Sequence, residues 1–454
     1  MAQGKTEKLE NGKIGPLLVS LALPMILAEI ITLLYNMVDR IYIGHMANSS
    51  FAMAGIGLCA PLVMIITAFA RLFGQGGAPL SAICMGQKNN DEAEHIMSNS
   101  FFCILVSSVV ITVLAFVFAE PLLRLFGASD NTLPYALDYM RIYCLGTIFV
   151  EISVGMNLFI NTQGYTNVGM GTMMIGGLLN IALDPLFIFV FNMGVKGAAL
   201  ATVLSQGVSC LWVLLFLFGK KSSLRIRRRY LRPCWRIMRK ILSLGITPFF
   251  QATSESAVNI CFNTQLYAFG GDLAVSSLTV MTSLFQIIQF PMQGIAQGSQ
   301  PIVSYNYGAG KYGRVKQTLR YTFIANTAYA FSCTLLMVLL PGVFVRIFTS
   351  DAALAQLSAK LLPVYVAGGF FMGIFSTYQQ AYNALGKGLY AFVFAFVRKI
   401  VLLIPLLYVF PALFPALGAV AVVLAEPVSD TIVSVGNGIY FRFFSRKKLA
   451  QPEE

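Results

Sequence analysis

The sequence predicts an all-α integral membrane protein with twelve transmembrane helices arranged as two six-helix repeats. Its composition, the spacing of its apolar segments and an internal repeat all support this fold class. Of its 454 residues, 57% are hydrophobic and 11% are charged, and the mean hydropathy is +0.73. A soluble globular chain has about 25% charged residues. The composition therefore indicates a polytopic membrane protein.

Apolar segments of membrane-spanning length recur along the whole chain. A helix needs about 20 mostly apolar residues to cross the hydrocarbon core, and polar, glycine or proline positions separate such segments here. The spans are predicted near residues 14–44, 51–86, 95–119, 132–162, 166–191, 195–219, 237–269, 273–307, 317–343, 354–384, 388–410 and 416–443. The first span is too long for the apolar core of a signal peptide and lacks a small-residue cleavage site, so we expect it to remain in the mature chain.

Basic residues set the predicted orientation. The formal charge is +13, and residues 220–240 hold ten lysines and arginines and no acid. Because cytoplasmic loops are enriched in lysine and arginine, we expect this loop and both basic termini to be cytoplasmic in the inner (plasma) membrane. The short basic segments between apolar spans fit a membrane better than nucleic acid. The predicted division is 1–219 (N-lobe, helices 1–6), 220–240 (basic cytoplasmic loop) and 241–454 (C-lobe, helices 7–12).

The two predicted lobes share an internal repeat. The segment FGQGGAPLSAICMG at 73–86 aligns with IAQGSQPIVSYNYG at 295–308, a shift of 222 residues. The same shift pairs other identical residues without a gap. These pairs are Arg124 with Arg346, Phe126 with Phe348, Tyr143 with Tyr365, Gly146 with Gly368, Asn161 with Asn383 and Gly164 with Gly386. Because each repeat contains an even number of spans, the two copies have the same orientation in the membrane, which is typical of transporters.

The stretch LLYNMVDRIYIG at 33–44 places charges inside the first span. On a helical wheel Glu29, Thr32, Asn36 and Asp39 share one polar arc, with Arg40 at its edge. Ionisable residues inside a membrane indicate function or a buried pair. Asn180 and Asp184 lie four residues apart in span five and are possible partners of Asp39. Two carboxylates at one cavity would share a proton or hold a monovalent cation.

The second repeat has other intramembrane charges. Gln251 and Glu255 belong to a polar ladder in span seven, and Glu426 and Asp430 form another in span twelve. The nearest basic residues to that second pair are Arg398 and Lys399, which leaves a purely structural salt bridge as the alternative. For Glu255 the sequence shows no comparable neighbour. Glu151 in span four is open to a structural or a functional reading.

A substrate cavity is predicted between the repeats. Span eight carries glutamines at 286, 289, 293, 297 and 300, all on one helical face. Small-molecule sites are mostly apolar with a few polar anchors, although glutamines also bond neighbouring helices together. The predicted cavity residues are Asn36, Arg71, Gln251, Phe285, Gln286, Gln289 and Gln293.

The residues expected of enzymes and metal sites are not found in the sequence. It has two histidines, no HExxH and no phosphate-binding P-loop, and its eight cysteines are scattered without a CxxC. We therefore expect no enzyme activity, cofactor or structural metal. A channel is compatible with the composition, but a twofold repeat with buried acids favours alternating access.

With these motifs in hand, the chain resembles the multidrug and toxic compound extrusion (MATE) transporters of the bacterial DinF/MepA-like type. The resemblance covers residues 14–444 and depends on several motifs together. They are LALP and YNMVDRIYIG in span one, GQGGAPLSAICMGQ closing span two, NTQGYTN after span four, NIALDPLFIF in span five, GVKGAALATVLSQ leading span six and AQGSQPIVSYNYGAGK closing span eight.

The resemblance implies a V-shaped exporter of organic, often cationic and aromatic, compounds driven by uptake of H⁺ or Na⁺. By this analogy Asp39, Asn180 and Asp184 form the coupling site, with Thr202 and Asn157 contributing, and Na⁺ would bind the first three. Glu255 is similar to an acidic C-lobe position of some members. The implied partners are small-molecule drugs and membrane lipids, and the implied state is a monomer. A flippase of lipid-linked precursors from the same superfamily is the alternative.

Overall fold

The computed structural model describes residues 2–44, 49–349 and 351–449, and over these ranges it is helical without a β-strand. Side chains are not described for residues 2–5, 36, 37, 39–41, 43, 44, 49–52 and 54. The first repeat contains α1 (Ala2–Asn11), α2 (Ile14–Gly44), α3 (Ser49–Gly86), α4 (Asn90–Leu125), α5 (Leu133–Leu145), α6 (Thr147–Thr162), α7 (Thr166–Pro185) and α8 (Val195–Phe218). The second contains α9 (Trp235–Gly308), α10 (Tyr312–Leu339), α11 (Pro341–Phe348), α12 (Ala352–Val366), α13 (Gly369–Ala384), α14 (Gly388–Phe396), α15 (Ile404–Leu413), α16 (Ala419–Val423) and α17 (Ala425–Lys448). Wide π-helical turns occur at Leu186–Val190 and Val397–Leu403, and 3₁₀ turns at Arg228–Tyr230 and Pro415–Leu417.

The long helix α9 folds back on itself at Gly271. This residue has φ 58° and ψ −156°, a conformation that requires glycine. Phe262 and Phe285, on either side of it, have ring centroids 6.3 and 5.7 Å from that of Tyr365. In a straight helix they would lie roughly 34 Å apart. The first arm (235–270) and the second arm (272–308) are therefore two separate spans.

The span count agrees with the prediction. Within the described ranges, nine helices are long and apolar enough to cross a membrane, and two bent pairs raise the number to eleven. Since α9 contributes two spans, the total is twelve. Each predicted span corresponds to one of these, with ends shifted by a few residues.

The repeat is visible in the backbone. Gly146 and Gly368, which are related by the shift of 222 residues, lie at the bends of the two broken spans, where the helices turn by 57° and 47°. Gly164 and Gly386, also related by the shift, both adopt positive φ, at 83° and 71°. Both repeats therefore bend and turn at equivalent places.

Both basic termini and the basic loop lie at one end of the molecule, which we call the basic end. Leu9 of α1 packs beside Gly164, and the backbone N–H of Leu224 in the loop donates to Gln163 at 2.8 Å. Near the C-terminus, Leu449 is buried in a cluster that includes Tyr307 and Tyr312. The predicted placement of these three segments on one side is consistent with this arrangement.

Ion pairs fasten the basic end. Lys311 donates to the Glu10 carboxylate at 2.9 Å, and this hydrogen bond holds the pKa of Glu10 below its ordinary value of 4.5. The pair thus stabilises the structure at neutral pH and is lost as the pH falls through that lowered pKa. In the loop, Arg227 donates to Glu94 at 2.8 Å, and this hydrogen bond raises the pKa of Arg227.

The two repeats touch at the basic end through glycines. A Cβ atom on Gly86 would lie 2.0 Å from the Tyr305 carbonyl oxygen, and one on Gly308 would lie 2.0 Å from that of Ile83. These two contacts are equivalent under the 222-residue shift. Only glycine allows helix backbones to approach so closely, so the closed basic end depends on Gly86 and Gly308.

Gly86→Ala should therefore push the repeats apart at the basic end. The added methyl group would collide with backbone, which cannot rotate away as a side chain can. Electron–electron distance measurements between spin labels at Gln87 and Lys316 should show a longer mean distance in this variant. Gly57→Ala in the same helix has open space around the new Cβ and serves as the control. An unchanged distance in Gly86→Ala would mean that the closure does not depend on this contact.

Candidate transport cavities and ion site

Two cavities lie between the helices and share part of their walls. The larger, of about 350 Å³, lies among α3, both arms of α9, α13 and the π-helical turn at 397–403. The smaller, of about 210 Å³, lies among α2, α3, α6, α7, α8 and the second arm of α9. Both are lined by Thr67, Arg71, Gln75, Gln293 and Gln297. These shared residues form the boundary between the cavities.

The internal repeat relates the polar linings of the two cavities. Eleven residues that line the smaller cavity have equivalents 222 positions later that line the larger, and in six of these pairs both side chains are polar. The six pairs are Glu29 with Gln251, Thr67 with Gln289, Arg71 with Gln293, Gln75 with Gln297, Asn157 with Gln379 and Asn161 with Asn383. Glu29 and Arg71 are the charged residues of these six pairs, and both correspond to neutral amides. The larger cavity has Arg398 and Lys399 where the smaller has Gly176 and Gly177. The two cavities therefore have equivalent walls but carry their charges at different positions.

Most of the predicted cavity residues line the larger cavity. Arg71, Gln251, Gln289 and Gln293 do so, while the side chain of Asn36 is outside the described residues.

The structure corrects the prediction for Phe285 and Gln286. Phe285 is buried in the second repeat's core, with its ring edge-on to Tyr365, and Gln286 is exposed outside both cavity linings. Gln286 lies on the predicted glutamine face, and Phe285 precedes it. The Tyr365 ring packs against Phe285, and the lining of the larger cavity ends at Gln289 on this arm.

Sequence reasoning missed the part of the larger cavity formed by α13. Gln379, Gln380 and Asn383 line it, and Gln380 donates to the Gln300 side chain at 2.7 Å. The repeat contained a usable signal, because Asn383 was already matched to Asn161. Had the match been extended one turn, it would have paired Gln379 with Asn157.

One hydrogen bond at the boundary joins the repeats. The Gln297 amide on the second arm of α9 donates to the Glu29 carboxylate on α2 at 2.8 Å. The equivalent contact would join Gln75 and Gln251, and no hydrogen bond between them occurs among the described residues. The link between the repeats is therefore asymmetric.

The structure brings three of the predicted ion-site residues together. The Asn180 amide donates to the Asp184 carboxylate at 3.2 Å and lies 3.4 Å from the Thr202 hydroxyl. Asp184 is fully buried and directly precedes Pro185 and the π-helical turn at Leu186–Val190. A carboxylate, an amide oxygen and a hydroxyl are oxygen ligands of the kind that a hard cation takes, and a buried carboxylate can also take up a proton.

Two further predicted members are Asp39 and Asn157. The side chain of Asp39 is outside the described residues. Asn157 lies elsewhere, since it accepts from Thr172 and donates to the Gly169 carbonyl. Thr172 precedes Asp184 by twelve residues on α7, about 18 Å along the helix. Asn157 is thus a lining residue of the smaller cavity.

The second repeat holds a cluster of five charged side chains, four of them buried. Arg398 donates to Asp430 at 2.5 Å and to Glu426 at 3.2 Å, and its guanidinium lies 5.1 Å from the Phe375 ring centre. Lys399 pairs with Glu255 at 3.0 Å. Glu255 therefore has a basic partner that its sequence neighbourhood did not show, and Arg398 alone pairs with both Glu426 and Asp430.

Glu151 is also buried. Its carboxylate accepts a hydrogen bond from Ser107 at 2.6 Å, and it is absent from the linings of both cavities. Within residues 2–44, 49–349 and 351–449, no three His, Cys, Asp or Glu side chains are grouped as metal ligands.

Comparison with known proteins agrees with this architecture. The family model for MatE matches residues 24–186 and 249–409, one segment in each repeat. The multidrug export protein MepA of Staphylococcus haemolyticus is 28% identical over 383 residues, which cover 84% of this chain and 83% of that protein. MepA of Staphylococcus aureus strain N315 is 24% identical over 382 residues, with the same coverage of 84% and 83%.

Solved structures share the fold. An outward-facing multidrug resistance MATE family transporter of the MOP superfamily has a TM-score of 0.90 and 23% identity, covering 97% of this chain and 98% of its own. A MATE protein in complex with MaD3S has a TM-score of 0.91 and 22% identity, with the same coverage of 97% and 98%. These similarities confirm the predicted twelve-helix fold.

Proposed function

Because this chain belongs to the MatE family, we propose that it is a cation-coupled antiporter that exports small organic compounds, often cationic and aromatic. The chain is a multi-pass membrane protein of a transporter family and not an enzyme. The MepA relatives are multidrug export proteins, which supports multidrug efflux as its role. The function is the one that the sequence motifs predicted.

The observation that carries the coupling proposal is the buried Asp184 with Asn180 and Thr202. An ionisable residue inside a membrane is costly and marks ion or substrate pathways. Uptake of H⁺ or Na⁺ at Asp184 changes the local charge, and that change can favour one arrangement of the repeats over the other. H⁺ and Na⁺ remain the two candidate coupling ions, and Asp39 and Glu255 remain proposed contributors.

In the arrangement that the structure shows, exported substrates would leave the cavities through the end opposite the basic end. The glycine contacts of Gly86 and Gly308 close the basic end, and the cavities lie farther along the same helices. Alternating access would require these contacts to open and others to form at the opposite end. Both cavities and the Asp184 group form within one chain, so we propose that a monomer in a lipid bilayer is the working unit.

Export can be tested in cells that lack their own efflux pumps. We expect cells that produce the protein to accumulate less ethidium than cells with an empty vector. Dissipating the proton or the sodium gradient should reverse this difference. Equal ethidium accumulation in both cell lines would argue against multidrug export.

A flippase of lipid-linked precursors is the second candidate, and one observation favours it. Three basic residues, Arg71, Arg398 and Lys399, line the larger cavity, and a lipid pyrophosphate would need such a lining. However, acids within the same repeat pair with Arg398 and Lys399. Translocation of a fluorescent lipid-linked pyrophosphate, with no transport of ethidium, would favour the flippase.

The basic end is proposed to face the cytoplasm of a cell with this protein in its inner (plasma) membrane. The reason is the enrichment of lysine and arginine there. Arg228→Cys places a thiol on an exposed part of the loop, and an impermeant maleimide should label it only after the membrane is opened. Ala128→Cys, between α4 and α5 at the other end, should label in intact cells. Labelling of position 228 in intact cells would reverse the orientation.

A further inference from the structure

Arg71 differs from the other basic residues that line the cavities. It lies on the boundary between the two cavities, and its side chain is exposed to them. Arg398 and Lys399 form salt bridges with buried or half-buried acids. Over the ranges that the structure describes, Arg71 has no acid within salt-bridge distance and no side-chain hydrogen bond. Its guanidinium therefore has free donors that face the cavities.

Glu29 is the nearest candidate for a fixed partner of Arg71. The two groups interact electrostatically, but the Glu29 carboxylate accepts its hydrogen bond from Gln297 instead. A guanidinium carries five N–H donors and has no acceptor. N–H groups without an acceptor on a positive charge attract an anion strongly in a cavity of low dielectric.

The repeat shows that the charge at this position is not needed for the architecture. The equivalent of Arg71 is Gln293, which lines the same boundary as a neutral amide. Glu29 likewise corresponds to Gln251. One copy of the helix pair therefore packs with amides at these positions, and the other carries one positive and one negative charge.

We propose that Arg71 is a binding subsite for a carboxylate group of the exported compound. The guanidinium fork matches a carboxylate with two parallel hydrogen bonds. Glu29 lies nearby to attract a cationic group of the same molecule, and Met64, Met372 and Phe375 supply apolar wall in the larger cavity. The compounds this site fits are aromatic zwitterions. The inference rests on the proposed export function and specifies its substrate class.

A pair of dyes that differ only at the carboxylate tests this subsite. Rhodamine B carries a free carboxylate beside its cationic ring system, and rhodamine B methyl ester has that charge removed. Fluorescence anisotropy with the purified full-length protein measures the affinity for each dye. We expect Arg71→Gln to weaken binding of the acid by about tenfold or more and binding of the ester by less than about twofold. Arg71→Lys should recover part of the affinity for the acid.

Lys196→Gln is the matched control. It removes one positive charge from the same repeat at an exposed pair with Asp138, which is outside both cavity linings, and it should change the affinity for neither dye. If Arg71→Gln lowers the affinity for both dyes equally, the proposal is overturned, and the role of Arg71 is structural. Unchanged binding of the acid would also overturn it.

Two outcomes separate this inference from the proposed function. If the wild-type protein binds and exports the ester but not the acid, the carboxylate subsite is wrong and the export function stands. If it binds and exports neither dye, the export function fails and the subsite fails with it. A lipid phosphate could also occupy Arg71. In that case rhodamine B would bind more weakly in phosphatidylglycerol nanodiscs than in phosphatidylcholine nanodiscs, and Arg71→Gln would remove this difference between the lipids. That result would assign Arg71 to a lipid phosphate and overturn the proposal.

Discussion

Asp184→Asn should reduce gradient-driven efflux to less than about a tenth of the wild-type rate, because a buried acid of this kind marks the ion pathway. The amide has nearly the same shape as the carboxylate, and its oxygen can still accept the hydrogen bond from Asn180. It cannot exchange a proton, and it offers no negative charge to a sodium ion. The variant should therefore fold normally and bind substrate while losing the coupling.

Ethidium efflux from cells and thermal unfolding of the purified variant should be measured together. Asp138→Asn is the matched control because it removes an acid of the same repeat from an exposed pair with Lys196. It should leave efflux and melting temperature close to wild type. Wild-type efflux in Asp184→Asn, under either ion gradient, would remove Asp184 from the mechanism.

Arg398→Gln should produce the largest loss of stability. Removing the guanidinium takes away the hydrogen-bonded cation of Glu426 and Asp430, which stay buried with 5% and 1% of their side chains exposed. Lys399 still acts electrostatically on Glu426, and Asp430 loses its ion pair. Breaking a buried ion pair from one side costs roughly 3–5 kcal/mol. We expect a clearly lower melting temperature in detergent and a lower yield of folded protein.

Lys399→Gln is the control for this prediction. Its partner Glu255 has 45% of its side chain exposed to the larger cavity, so water can solvate the carboxylate that remains. The loss of stability should be smaller, because Glu426 and Asp430 keep their ion pairs with Arg398. Adding Glu426→Gln and Asp430→Asn to Arg398→Gln should restore part of the melting temperature, since the unpaired charges are removed. If Arg398→Gln and the wild type have the same melting temperature, the ion pairs of Arg398 do not stabilise the fold.

Local sequence features were enough to predict the span boundaries and the repeat. Apolar length, together with glycine and proline breaks, sets where a membrane helix begins and ends. Gly146 and Gly368 were paired from the sequence alone, and both lie at bends. The grouping of Asn180 with Asp184 was predictable for the same reason, because four residues along one helix place side chains on one face.

Contacts between distant helices could not be predicted in this way. Lys399 is adjacent to Arg398 in sequence, yet it pairs with Glu255 on another helix, because successive side chains of a helix point about 100° apart. Phe285 has the helical phase of a cavity residue, but Tyr365 covers it. Both outcomes depend on helix packing, which periodicity does not describe. The role of Asp39 stays a prediction.

Transport into proteoliposomes under one imposed gradient at a time tests the coupled-export mechanism most directly. The protein is reconstituted, a fluorescent organic cation is supplied, and either a pH gradient or a sodium gradient is imposed. We predict that one gradient drives dye movement against the direction of the ion and that Asp184→Asn abolishes this movement. Dye flux that is independent of both gradients, or that persists at the wild-type rate in Asp184→Asn, would contradict ion-coupled export through Asp184.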